Sequence, residues 1–150
     1  MKRLVSLLAG LKEFDENTDK YILAVVKSNE KDIVKYVSEI QLFIEGIRGS
    51  DGAFIAGYNP YHYRTVEIKQ EKGQPTDRVT LRDTGEFHKS FTITFSDESF
   101  RIVATDWKTD FLVAKYGDGV LALSDEHLHS LKVAIIKPQL ISTLKQLINA

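Results

Sequence analysis

The sequence contains no cysteine, and it has only three prolines and one tryptophan among its 150 residues. The absence of cysteine excludes disulfides, thiolate zinc sites and cysteine nucleophiles. No apolar run approaches the length that a membrane span requires. The brief apolar stretch at residues 4–9 is soon followed by charged residues, so a secretory signal is not expected. The 43% of hydrophobic residues can form a core, and we predict a single domain over residues 1–150.

An excess of charge of one sign is also lacking, because 20 Lys and Arg residues face 21 Asp and Glu residues. Nucleic-acid-binding domains usually carry a strongly basic surface, so no specific nucleic-acid partner is expected. Residues 97–126 hold seven acids and three bases, whereas residues 127–150 hold the bases Lys132, Lys137 and Lys145 and no acid. Unlike surfaces of this kind suit contacts between neighbouring copies, and a solvated helix face is the alternative.

The first part of the chain, residues 1–47, has helical periodicity. Apolar residues recur at alternating spacings of three and four from Ile22 to Ile47. Thr18 or Asp19 is placed to cap the start of this helix, and Gly46 marks its end. We therefore predict one amphipathic helix of about seven turns. Packing on a sheet of the same molecule is expected, and a coiled-coil seam is the alternative.

Residues 48–82 differ from the helical part because glycine, proline and asparagine interrupt them at short intervals. Such residues favour turns, so we predict a turn-rich excursion or arm, and long excursions in compact domains are often functional. Tyrosine and arginine are common at protein–protein contacts, and stacking on bases or sugars is the alternative. The candidate interface residues in this segment are Tyr58, Tyr61, Tyr63 and Arg64.

Residues 83–123 contain the strongest strand pattern. Residues 91–95 alternate apolar side chains with threonine, and residues 99–104 follow with an apolar face of their own. Ser96-Asp97-Glu98 lies between them and is typical of a turn. We therefore predict an antiparallel hairpin with one buried face.

The last element, residues 124–149, is predicted to be a helix. Ser124 is placed as its N-cap, with acidic residues in the first turn. Pro138 removes one backbone donor, so a kink or break is expected near residues 136–137. The predicted fold class is α+β, with a long N-terminal helix and a C-terminal helix packed on a small antiparallel β-sheet.

Histidines and acids raise the question of a metal or catalytic site. His127 and His129 lie two residues apart, which separates them by about 200° on a helix and prevents shared metal ligation, so both are expected to be solvated. Asp83, Glu86 and His88 fall close together, and such residues can bind a divalent ion or exchange protons. The signal is weak, because helix capping explains Asp83 and ordinary surface composition explains the other two. We predict no catalytic residue, metal or cofactor.

A specific resemblance is carried by residues 81–91, Leu-Arg-Asp-Thr-Gly-Glu-Phe-His-Lys-Ser-Phe. This stretch resembles the Leu-x-x-(Ser/Thr)-Gly-x-(Leu/Phe)-x-x-Ser segment of tailed-bacteriophage virion morphogenesis proteins, which include tail-completion, tail-terminator and neck proteins. The order of elements over about residues 20–148 is also similar to theirs. The motif residues are Leu81, Asp83, Thr84, Gly85, Phe87 and Ser90.

The resemblance implies a non-enzymatic structural subunit of a virion, made in the bacterial host cytoplasm. It would lie at the head–tail neck or the upper end of the tail, assemble as a homo-oligomeric ring, and contact neighbouring neck or tail proteins. Two alternatives stay open. One is a metal-dependent hydrolase or nuclease that uses Asp83, Glu86 and His88, and the other is a small intracellular adaptor that binds a partner through its tyrosines.

The motif residues themselves favour a structural joint. Thr84 is placed to accept a hydrogen bond from a backbone N–H, and Gly85 would allow close packing on the sheet. Phe87 and Phe91 are spaced to face the core together, and Ser90 is placed to bond back to a carbonyl.

Overall fold

Helical segments surround one β-hairpin in the computed structural model, which describes residues 2–57 and 59–150. The N-terminal part contains α1 (Lys2–Glu16), α2 (Thr18–Ser28), α3 (Glu30–Lys35) and a first π-helix (Tyr36–Glu45). The middle contains α4 (Tyr63–Glu71), α5 (Glu86–Lys89), β1 (Phe91–Phe95), β2 (Phe100–Ala104) and α6 (Thr109–Tyr116). The C-terminal part contains a 3-10 turn (Asp118–Leu121), α7 (Asp125–Leu131), a second π-helix (Lys132–Ile136) and α8 (Lys137–Asn149). The predicted α+β class is confirmed.

The predicted N-terminal helix has the expected ends but is not one continuous α-helix. It begins at Thr18 and stops at Glu45, where Gly46 takes a left-handed φ of 68°. Neither predicted residue caps its start. Asn17 occupies the N-cap position without a side-chain hydrogen bond, and Thr18 Oγ donates to the carbonyl of Phe14 at 2.7 Å.

The first π-helix changes which side chains of this element are buried. Its i to i+5 hydrogen bonding places more residues in each turn than an α-helix does. Val37, Gln41 and Leu42 are therefore buried, whereas Ile40 and Phe43 of the predicted stripe are only half-buried. Sequence periodicity assumes 3.6 residues per turn throughout, so it could not place Gln41 in the core.

The predicted hairpin is present, and its second strand begins at Phe100, one residue later than predicted. The predicted face is buried only in part, because its β2 residues are half-buried and Phe95 is exposed. β1 and β2 pair in antiparallel register, with Phe91 opposite Ala104 and Phe95 opposite Phe100. Phe91 and Ile93 are buried, whereas the tip between the strands is exposed. The hairpin therefore has one end in the core and the other in solvent.

Glu30 fastens the N-terminal helices to the outer side of β1. Its Oε1 accepts hydrogen bonds from the Ile93 N–H at 3.0 Å and from Thr92 Oγ at 2.8 Å. The hydrogen bond from Ile93 is the main reason why the pKa of Glu30 lies below its ordinary value. A helix side chain thus satisfies a strand N–H that lacks a ladder partner.

The segment of residues 48–82 is more regular than its turn-rich sequence indicated, because α4 occupies residues 63–71. It also returns to the core at Ile55, Val79 and Thr80, which are buried. The Ile55 N–H donates to the carbonyl of Gly46 at 2.9 Å. Much of the predicted arm is therefore packed against the rest of the chain.

The C-terminal helix begins as predicted, since Ser124 Oγ accepts a hydrogen bond from the His127 N–H at 3.3 Å. The expected irregularity before Pro138 is the second π-helix, and the chain continues through it without a break. Leu131 of α7 packs against Ile93 of the sheet, whereas α8 packs mainly on α1. Gly10 permits that packing, because a Cβ there would lie 2.6 Å from the Leu147 carbonyl oxygen. Within the described residues, no helix combines the length and apolarity needed to cross a bilayer.

Candidate functional site

The Thr84-Gly85 joint forms the sharp entry into α5. Gly85 has a φ of 91°, a conformation that side-chain-bearing residues rarely adopt. A Cβ on Gly85 would meet nothing closer than Arg82 Nε at 3.7 Å. The predicted close packing of this glycine on the sheet is therefore wrong, because its backbone conformation is what requires glycine. Thr84 Oγ accepts from the Glu86 N–H as predicted, at a long 3.5 Å.

The other motif residues serve packing. The rings of Phe87 and Phe91 are buried and meet edge to face, with their centroids 5.2 Å apart. Ser90 Oγ donates to the carbonyl of Phe87 at 2.8 Å, which is the predicted backward bond. Leu81 packs half-buried against the same core.

The three residues of the predicted hydrolase alternative do not form a shared site. Asp83 is exposed and pairs with Lys72, and hydrogen bonding to that lysine lowers the pKa of Asp83. Glu86 is exposed and pairs with Lys89 at 3.1 Å. His88 points into the core. Across the part of the chain that the structure describes, no group of three potential metal-ligating side chains occurs.

The imidazole of His88 behaves as a packing group. It is 4% exposed, and neither ring nitrogen has a hydrogen-bond partner. Its ring lies edge-on to Phe43 and Phe87, at centroid distances of 6.5 Å and 5.9 Å. Burial lowers the pKa of His88 to about 4, and the positive charge of Arg82 acts in the same direction. The Thr80 backbone opposes this shift, although it does not form a hydrogen bond with the ring. The ring is therefore neutral near pH 7.

A cleft of about 230 Å³ opens beside the joint, between α4, the residues before α5, and α6. We call it the basic cleft. Its apolar walls include Val79, Leu81, Phe87 and Leu112. Its polar lining comprises Tyr61, Lys69, Arg82, Asp83, Thr84, Lys108, Lys115 and Tyr116. The motif residues that were predicted to be purely structural therefore also form one wall of a concave surface.

Positive charge dominates this cleft. Among its cations, Arg82 is paired with Glu39 at 3.3 Å, whereas Lys69, Lys108 and Lys115 form no ion pair with any described residue. The carboxylate in the lining, Asp83, is already engaged by Lys72 from outside the cleft. The cleft is thus a site for negative charge in a chain whose net charge is −1.

Lys69 is the deepest of the three unpaired lysines. It is 8% exposed, and its Nζ donates to Gln74 Oε1 at 3.1 Å and to the Arg82 carbonyl at 3.2 Å. The ammonium also lies 5.0 Å from the centre of the Tyr61 ring, within range of a cation–π contact. Burial lowers the pKa of Lys69 and raises that of the Tyr61 hydroxyl. Asp83 acts on Lys69 at longer range without forming an ion pair with it, so the Lys69 ammonium would gain from an anion that approached it directly.

Sequence reasoning missed all three lysines. Lys69 was part of a segment predicted to be irregular, and Lys108 and Lys115 belong to the stretch described as acidic. For Lys108 and Lys115 the available signal was an adjacent aromatic residue. Lys108 Nζ lies 5.5 Å from the centre of the Trp107 ring, and Lys115 Nζ lies 5.1 Å from the centre of the Tyr116 ring. Such a pairing is readable in sequence, but the approach of α4 to α6 is not.

The candidate interface residues do not lie together. Tyr61 is half-buried in the basic cleft, whereas Tyr63 and Arg64 are exposed at the start of α4, where Arg64 Nε donates to the Tyr63 hydroxyl at 3.2 Å. Tyr58 lies outside the described residues. The remaining candidates, Lys132, Lys137 and Lys145, are exposed on the C-terminal helix.

Lys132 and Lys137 border a second concave surface, a groove of about 270 Å³. We call it the apolar groove, because its remaining lining is Phe14 of α1 with Ile136, Leu140, Ile141 and Leu144 of the C-terminal helix. Lys145 is not part of it. The predicted basic surface thus contains an apolar strip.

The outer face of α1 is apolar as well. Four of its side chains are between 43% and 65% exposed: Leu4, Val5, Leu8 and Leu11. The opposite side of α1, with Gly10, packs on α8. A two-sided apolar helix is typical of an element that is covered on both sides.

Comparisons with known proteins give no relative from which a function could be transferred: no family model, no curated protein and no solved structure matches this chain.

Proposed function

We propose that this chain is a structural, non-enzymatic subunit of a tailed-phage virion, at the head–tail neck or the upper tail end, where copies assemble as a ring. The phage setting depends on the resemblance of residues 81–91. The self-association is carried by one observation, the exposed apolar face of α1 formed by Leu4, Val5, Leu8 and Leu11.

This face is the kind of surface that assembly covers. Monomeric proteins rarely expose large contiguous patches of apolar side chains. The apolar groove beside it adds further apolar surface. Lys132 and Lys137 at the border of the groove are placed to pair with acidic residues of a neighbour. A second copy is the occupant that a ring requires, because each subunit presents two different and mutually complementary surfaces.

The two alternatives have less support. The hydrolase needs Asp83, Glu86 and His88 to converge, whereas one of them is buried without a polar partner and the other two are paired with lysines. The adaptor needs exposed tyrosines that lie together, whereas Tyr61 is turned into the basic cleft and Tyr63 is exposed beside His62 and Arg64.

The test is the mass of the purified chain by native mass spectrometry and sedimentation. We expect a defined multimer, and we expect Leu8→Glu to convert it to monomer, because the substitution places a charge in the covered face. Lys35→Gln is the matched control, since it changes the net charge equally at an exposed position of α3, outside the apolar face. Surface substitutions of this kind alter the free energy of unfolding by about 0.5 kcal/mol or less, so loss of the multimer would not reflect unfolding.

A wild-type chain that stays monomeric at high concentration, or a Leu8→Glu chain that keeps its multimer, would contradict the proposal. Magnesium-dependent cleavage of DNA that is lost in Asp83→Asn would support the hydrolase instead. The virion setting is tested separately, by searching for the chain in purified tailed-phage particles.

A further inference from the structure

We infer that the basic cleft receives the acidic hairpin tip, residues 96–99, of a second copy of this chain. The inference rests on the proposed function, because it names a contact between neighbouring subunits of the ring. Two observations carry it: the basic cleft holds lysines that form no ion pair, and the hairpin tip holds carboxylates that form none.

The acceptor is the unpaired positive charge of Lys69, Lys108 and Lys115. Lys69 is fixed by hydrogen bonds in the apolar floor, whereas Lys108 and Lys115 lie nearer the surface and remain free to adjust. Charges in a partly dry cleft interact more strongly than charges in open water. A carboxylate that entered would therefore gain from the field of three cations without displacing an existing salt bridge.

The donor is the tip of the hairpin. Asp97 and Glu98 are exposed there and form no ion pair with any residue in the described part of the chain. The turn is narrow, because the hydroxyls of Ser96 and Ser99 lie 2.7 Å apart and the Ser96 N–H donates to the Ser99 carbonyl at 2.8 Å. Two carboxylates on a narrow, ordered apex match a small cleft with a basic lining.

The chain cannot place its own tip in its own cleft. Both base ends of the hairpin lie near the cleft, since β1 follows Phe87 of the wall and β2 leads to Lys108. Five strand residues at about 3.3 Å each carry the tip roughly 17 Å away from that base. The tip therefore lies too far from the cleft to enter it. It borders Asp19 and Ile22 of α2, and its exposed carboxylates are available to a neighbour.

This contact would join two different surfaces. A tip at one end and a cleft at the other form a head-to-tail interface, which repeats from subunit to subunit and closes as a ring when the rotation permits. The opposite charges would also favour one orientation of neighbouring copies over the reverse.

A charge exchange tests the contact. Lys108→Glu with Lys115→Glu, and separately Asp97→Lys with Glu98→Lys, should each weaken association of the multimer by at least about tenfold and remove part of its salt dependence. The chain that carries all four substitutions should recover most of the wild-type association. Losses that simply add in the fourfold variant, or no loss in either double variant, would overturn the inference.

The controls separate this inference from the proposed function. Lys31→Glu with Lys35→Glu makes the same charge change on the exposed side of α3 and should leave association unchanged. A multimer that is sensitive to Leu8→Glu but not to the cleft or tip variants would retain the proposed function and reject the tip–cleft contact. Sensitivity to the cleft variant alone would also reject it, since another acidic partner would then occupy the cleft.

Cross-linking tests the contact without the charge variants, so the test remains possible if those variants fold poorly. The chain has no cysteine, so Glu98→Cys and Lys115→Cys can be introduced in separate preparations and mixed. A short bifunctional thiol cross-linker should join them into mixed dimers. Glu98→Cys mixed with Lys35→Cys is the control, because Lys35 is exposed on α3 outside the cleft. Cross-linking no greater than this control would overturn the inference.

Discussion

Two buried histidines of this fold sit in opposite kinds of surroundings. His88 of α5 lies among aromatic rings with both nitrogens unpartnered, whereas His127 of α7 is held by polar groups on both nitrogens. Its Nδ1 lies 3.2 Å from Gln41 Oε1, and its Nε2 lies 3.2 Å from Glu45 Oε1. The expectation that His127 would be solvated is wrong, because it is 7% exposed, while His129 is exposed as predicted.

The difference shows two ways to bury the same side chain. At His88 the ring fills space and its charged form is excluded. At His127 the ring joins a network centred on Gln41, whose Nε2 donates to the Ala122 carbonyl at 2.7 Å and whose Oε1 accepts from the Ser124 N–H at 2.8 Å. The first surroundings are sensitive to acid, and the second are sensitive to the loss of any one partner.

The network should suffer the largest loss on substitution. Gln41→Leu would leave the Ser124 N–H and the His127 Nδ1 buried without their partner, and it would also remove the hydrogen bond to the exposed Ala122 carbonyl. We expect the free energy of unfolding to fall by about 4 kcal/mol, since each unsatisfied group costs roughly 1–3 kcal/mol. Urea denaturation measures this. Gln70→Leu, an exposed position of α4, is the control, and a loss as small as the control's would show that the network contributes nothing.

The surroundings of His88 predict an acid effect. In the folded protein the pKa is about 4 and the ordinary value is 6.5, so the unfolded chain binds the proton more readily between these values. Stability is therefore complete above about pH 6.5 and falls as the pH drops toward 4, by up to about 3 kcal/mol. His88→Phe should flatten this part of the profile of unfolding free energy against pH, whereas His129→Phe should not. Identical profiles for wild type and His88→Phe would refute the assignment.

The starts of the two short helices that carry these histidines give the smallest effects. Ser124 makes a cap bond to the His127 N–H, so Ser124→Ala should cost about 1 kcal/mol, and more if the substitution also disturbs the network. Thr84 accepts at only 3.5 Å, so Thr84→Ala should cost about 0.5 kcal/mol or less. Thermal unfolding at neutral pH compares them. Equal losses of stability in the two variants would contradict the difference in strength that we assign to these two hydrogen bonds.

Sequence reasoning succeeded where the signal was local. The alternation of residues 91–95, the acceptor role of Ser124 and the left-handed Gly46 all follow from nearest neighbours in the chain. The phage setting and the ring stay predictions, since nothing in the fold tests them.

The features that the sequence did not predict, the Gln41 network and the basic cleft, depend on contacts between residues that are far apart in the chain. Gln41 forms hydrogen bonds with residues that lie 81 to 86 positions further along the chain. Its burial also depends on a π-helix, which the spacing of apolar residues does not predict. The basic cleft likewise requires Lys69 to approach Lys108 and Lys115 across separate elements. In the sequence, Lys108 and Lys115 are distinguished only by an adjacent aromatic residue, and Lys69 lacks even that.

The π-helix at Tyr36–Glu45 also bears on how such a chain can vary. A π turn holds one residue more than an α turn, so its presence shifts the angular phase of everything that follows it. Removal of a single residue between Tyr36 and Gln41 would bring Leu42 to the buried position that Gln41 now occupies and rotate Gln41 away from its partners. The interior could thus be exchanged from polar to apolar by one deletion, with no side chain replaced.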